Sequence, residues 1–117
     1  MKYLLLVYMD EKALSDAERA QCYKDSTELA KELHEKHQLI SVNPLQPVAT
    51  ATSVRIREGK RLVTDGPFAE TREQLGGYFL IEARDLNAAI NVASRIPGAK
   101  AGSVEIRPVL DIGTLPV

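Results

Sequence analysis

The 117-residue chain has no tryptophan, two phenylalanines and one cysteine. A lone thiol, Cys22, has no partner for an intrachain disulfide, so a reducing, cytoplasmic setting is expected. With Phe68 and Phe79 as the only phenylalanines, no RNP-like aromatic run exists on which RNA bases would stack. Charge of one sign is also lacking: the net charge is -1, which gives no broad field to attract nucleic acid or anionic lipid. No stretch approaches the roughly 20 apolar residues that cross a bilayer. Lys2 followed by apolar residues up to Met9 has the start of a signal peptide, but Asp10 and Glu11 interrupt it and no small-residue cleavage site follows. Neither a P-loop nor a dinucleotide glycine fingerprint is present. The expectation is therefore a protein with no nucleic-acid, membrane or cofactor partner, whose function resides in a local site.

What remains is ordinary globular material: 44% hydrophobic and 26% charged residues in a length suited to one domain spanning residues 1–117. Lys2 to Met9 and Tyr78 to Ala83 are nearly continuous apolar runs, as expected of strands covered on both faces. Ser15 and Glu18 form a capping box that predicts a helix from Asp16 to about His37. Cys22, Tyr23, Leu29, Ala30 and Leu33 fall on its packed side. Leu39 to Val42 reads as a short strand, Asn43 to Pro47 interrupts it, and Ala49 to Glu58 resumes with β-branched residues. Glu58-Gly59-Lys60 then turns into a partner strand, Arg61 to Thr64. Asp85 caps a second helix, ended by Pro97-Gly98, and Ser103 to Val109 alternates apolar and polar residues as a final strand.

This order predicts an α+β fold of the ferredoxin-like βαββαβ type with a β-hairpin elaboration, its antiparallel sheet covered by two helices on one face. The other face needs cover, and a second copy of the same sheet supplies it most simply while enclosing a cavity for a small-molecule ligand. A homodimer is the expectation.

Thr64-Asp65-Gly66-Pro67-Phe68-Ala69-Glu70-Thr71-Arg72-Glu73-Gln74-Leu75-Gly76-Gly77 resembles the signature of the DGPF branch of the YCII-related family. The opening Met1 to Leu6, Ala49 to Thr52 and the closing Val104 to Pro108 extend the resemblance over essentially the whole chain. It implies a dimeric α+β barrel with a pocket. Relatives in the broader family include proteins with a proposed His-Asp active site and a dehydrochlorinase of aromatic breakdown. DGPF proteins also resemble gene neighbours of sigma factors. No histidine of this chain matches the dyad position.

Two readings of the segment stand. In the structural one, Asp65-Gly66-Pro67 is a turn, Phe68 plugs the core, Glu70 to Leu75 forms a helical turn and Gly76 ends it. In the functional one, Asp65, partly desolvated beside Phe68, is a general base or proton shuttle at the cavity mouth. Arg72 then holds an anionic substrate group, and Glu70 and Glu73, sharing a face of a helical turn, either position Arg72 or assist proton transfer. Gly66, Pro67, Phe68 and Thr71 shape the same loop, and Tyr8 and Tyr78 present hydroxyls from the central strands. The first reading of function is a cofactor-independent isomerase or lyase acting on a small anionic or aromatic molecule. The alternative is a non-catalytic ligand-binding or interaction module tied to transcriptional regulation. His34 and His37 have a spacing that suits metal ligands, but the cation preference of a helix C-terminus explains them, and Cys22 reads as core filler.

Overall fold

A computed structural model describes residues 1–113. Its elements are β1 (Lys2–Met9), α1 (Asp16–Glu35), β2 (Leu39–Pro44), a 3-10 turn (Val48–Thr50), β3 (Thr52–Arg57) and β4 (Lys60–Asp65). They continue with β5 (Gln74–Glu82), α2 (Leu86–Arg95), α3 (Gly98–Ala101) and β6 (Ser103–Pro108). The chain is α+β, with a four-stranded antiparallel sheet in the order β2-β5-β1-β6 and a separate two-stranded sheet of β3 and β4.

The two apolar runs are the two inner strands, β1 and β5. Alternation divides their side chains between faces. Tyr3, Leu5 and Val7 of β1, with Phe79 and Ile81 of β5, point to the helices and form the core with Leu29, Ala30 and Leu33 of α1 and Ala89 and Ala93 of α2. Leu5, Leu33 and Ile81 are its largest fully buried side chains. Register places Leu4, Leu6, Tyr78 and Leu80 on the opposite face, which no helix among the described residues covers. The molecule measures 46 × 43 × 20 Å, and its helices form one layer on the four-stranded sheet.

Caps set the helix ends. Ser15 Oγ accepts from Glu18 N at 3.1 Å, and the Glu18 carboxylate takes the Ser15 N–H at 3.0 Å. That hydrogen bonding holds the Glu18 carboxyl below its ordinary range. Asp85 caps α2 through Ala88 N at 2.9 Å. At the other end of α1, His37 adopts φ 58° while Gln38 N donates to Leu33 O at 2.8 Å, a Schellman closure around a non-glycine residue. Arg95 of α2 pairs with Glu32 of α1 and ties the two helices together.

Several details differ from expectation. Strand β2 runs on to Pro44 because Asn43 and Pro44 still pair with Tyr78 and Gly77. Ala49 does not start β3: both N and Oγ1 of Thr50 donate to Pro47 O, winding Val48–Thr50 into a 3-10 turn. Tyr23 is exposed and Cys22 only half-buried, because every buried residue of α1 lies in its C-terminal half. The N-terminal half stands off the sheet.

Candidate functional site

The gap beneath the N-terminal half of α1 is a groove of about 710 Å³, within the about 300–1,000 Å³ typical of small-molecule sites. Cys22, Tyr23 and Thr27 of α1 form one wall, and Met9, Val42 and Phe79 of the sheet form another. The segment Gln74 to Gly77 completes the lining. Gly77 is needed there for a steric reason: a Cβ would come 3.0 Å from Asn43 O and 3.2 Å from Pro44 Cα. Its absence lets the edge strand β2 approach β5.

Polar groups at the groove are fixed by short-range bonds. The Glu11 carboxylate accepts from Val48 N at 3.0 Å through both oxygens, and Arg19 Nη2 donates to Glu11 O at 2.6 Å. Asp10 accepts from Lys12 N at 3.0 Å and pairs with Arg72, Nε to Oδ2, at 3.6 Å. The Arg72 side chain is otherwise almost wholly in solvent, at 91% exposure. Its contact with Asp10 brings the Thr64 to Gly77 segment to the groove.

The remainder of that segment takes a path that corrects several sequence expectations. Gly66, with φ 105°, turns the chain out of β4, while its N–H donates to Ala51 O at 2.6 Å and its carbonyl accepts from Ser53 Oγ at 2.8 Å. Phe68 does not plug the core: it is 79% exposed. Asp65 is exposed too, so the desolvation beside Phe68 on which its role as a base depends is missing within this chain. Glu70 to Leu75 forms no helical turn, and Gly76 lies inside β5 rather than ending a helix. Thr71 Oγ1 donates to Glu73 O at 2.6 Å and holds a local bend instead. Glu70 and Glu73 therefore do not share a helical face.

Glu73 goes to the uncovered side of the sheet, where its Oε1 accepts from Ser103 Oγ at 2.9 Å. The register of β1 with β6 places Tyr8 opposite Ser103. Burial, and then the nearby Glu105 carboxylate, push the Tyr8 phenol above its ordinary range, with Arg107 opposing. Tyr78 is shifted the other way. Its hydroxyl lies 3.0 Å from Ser41 Oγ and accepts from Asn43 Nδ2 at 2.9 Å, and these two contacts hold the phenol below the ordinary tyrosine range. Tyr8 and Glu73 thus meet the uncovered sheet face, Tyr78 carries its hydroxyl there while also lining the groove, Arg72 touches the groove only through its rim residue Asp10, and Asp65, Pro67 and Phe68 meet neither.

The family model described as a YCII-related domain matches residues 1–113. The chain belongs to the YCII-related family. An uncharacterised protein of Rhizobium meliloti (strain 1021) is 36% identical over 114 residues, covering 93% of this chain and 92% of that protein.

Sequence reasoning missed the groove because it is made by a helix standing away from the sheet. The signal was present in the N-terminal half of α1, where Ala17, Ala20 and Cys22 offer little bulky apolar surface compared with Leu29 and Leu33. Among the described residues, no group of three or more His, Cys, Asp or Glu is arranged to hold a metal ion, and no helix is long and apolar enough to cross a membrane.

Proposed function

We propose that this YCII-related chain, of the DGPF branch, binds a small, largely apolar or aromatic molecule with an anionic group in the groove beneath α1. The groove carries this reading: it has the volume for such a molecule and a predominantly aliphatic and aromatic lining. Arg72 is the anion contact. Its 3.6 Å pairing with Asp10 is a loose, solvent-exposed one, so exchanging that carboxylate for a ligand's costs little.

The strand order and the single helical layer support a ferredoxin-like plan closed into a dimeric α+β barrel, with the uncovered face bearing Leu4, Leu6 and Leu80 set against a second copy. In such a cytoplasmic homodimer the chemistry is cofactor-independent proton transfer of the isomerase or lyase kind. Asp65 is the base, and Gly66, Pro67, Phe68, Glu70 and Thr71 shape its loop. The exposure of Asp65 in the single chain favours a second reading, in which the groove binds a regulatory ligand without turnover.

Native mass spectrometry after incubation with a metabolite mixture tests the binding reading. Retention of one small molecule, lost on filling the groove by Ser26→Phe and weakened by Arg72→Ala, is the expected result. Equal retention by the filled variant would sink it. Product formation by the wild type, abolished by Asp65→Asn, separates the enzyme from the binding module.

A further inference from the structure

The β3–β4 hairpin packs on itself and, among the described residues, makes no substantial contact with the other helices and strands. Its two-residue turn, Glu58-Gly59, has φ of 52° and 74°, the paired positive values of a tight turn that matches strand twist. Directly opposed residues share a face, so the pairs Val54–Val63, Ile56–Arg61 and Thr52–Asp65 project to the same side. Val54 is 61%, Ile56 58% and Val63 57% exposed. A free two-stranded hairpin is marginal in water, and three branched aliphatic side chains on one face of it signal an uncovered contact surface. The hairpin also extends the molecule: the radius of gyration is 15.9 Å, against about 13 Å for a compact chain of this length.

We infer that the β3–β4 hairpin is an intersubunit arm that lays its Val54, Ile56 and Val63 face on a second copy of this chain, and that this docking is what removes Asp65 from water. The inference rests on the homodimer proposed above and adds where the second contact lies and why the site is incomplete in one chain. Charge favours a second copy as occupant. Residues 52–65 carry four cations and two anions, whereas the rest of the chain carries eleven cations and fourteen anions. A positive arm thus meets a negative body, while like-charged arms repel one another. Asp65 shares the arm's apolar face, so whatever covers Val63 also covers the carboxylate.

Hydrogen exchange of the wild type, with sedimentation equilibrium of the wild type and of Val54→Asn and Val63→Asn, tests this arm. The expected result is a wild-type dimer whose amides in 52–65 are protected and lose that protection on dilution to monomer. Each variant is expected to weaken dimerisation at least tenfold while its circular dichroism stays unchanged, because the arm lies outside the core. A wild-type dimer with a freely exchanging hairpin, or variants that dimerise as tightly as wild type, would overturn the arm and leave the sheet-to-sheet dimer standing. A wild type that stays monomeric at tens of micromolar would overturn both and hand the surface to a different partner.

Discussion

The Tyr78 hydroxyl accepts a hydrogen bond from Asn43 Nδ2 at 2.9 Å and lies 3.0 Å from Ser41 Oγ, so an inner strand places its phenol against two polar groups of the edge strand. Both contacts favour the ionised form. Ultraviolet titration is expected to show one tyrosine ionising below the ordinary range and another, Tyr8, above it. Tyr78→Phe should remove the early step alone. An unchanged first step in that variant would assign it elsewhere.

The pair between Glu32 and Arg95 predicts a pH effect on stability. Hydrogen bonding from Arg95, the leading cause, depresses the folded Glu32 carboxyl below its ordinary value of 4.5. A depressed folded value contributes stability that is fully present above the unfolded value and is lost as pH falls through the folded one. Urea midpoints of wild type and Arg95→Ala should therefore differ at pH 7 and converge as pH falls through the folded Glu32 value. A gap that persists in acid would mean the arginine acts through packing.

His37 holds φ 58° at the end of α1. A side chain there costs about 1–2 kcal/mol that glycine avoids, against about 0.5–1 kcal/mol of extra chain entropy for glycine. His37→Gly is expected to raise unfolding stability by up to about 1.5 kcal/mol, read from chemical denaturation. Loss of stability would show that the imidazole makes a compensating contact.

Leu5 is fully buried at the centre of the sheet. Leu5→Ala should cost about 2–5 kcal/mol, whereas Leu62→Ala on the hairpin, 46% exposed, should change monomer stability by less than about 0.5 kcal/mol. Comparable losses in the two variants would contradict the separation of arm from core.

Much of this architecture was legible because it is written in local chemistry. Ser15 with Glu18, Asp85 before Leu86, and Glu58-Gly59 each satisfy or shape the backbone within a few residues. The inner strands were legible because Lys2 to Met9 and Tyr78 to Ala83 lack polar alternation. The segment from Glu70 to Leu75 misled because Glu, Arg, Gln and Leu favour helix when taken alone. Pairing of Gln74 and Leu75 with Met9 and Tyr8, far away in sequence, draws those residues into β5 instead. The groove had no local code at all, since it depends on where along α1 contact with the sheet ceases.

The pairing of β1 with β5 and β6 also sets an order of events during synthesis. The aliphatic strand Lys2 to Met9 emerges from the ribosome before both of its neighbours, Gln74–Glu82 and Ser103–Pro108. One hydrogen-bonding edge stays unmatched until β5 has emerged and the other until β6 has. Such distant pairing slows folding and lengthens exposure to aggregation. Nascent chains stalled before Ser103 should therefore be the form that chaperones hold longest.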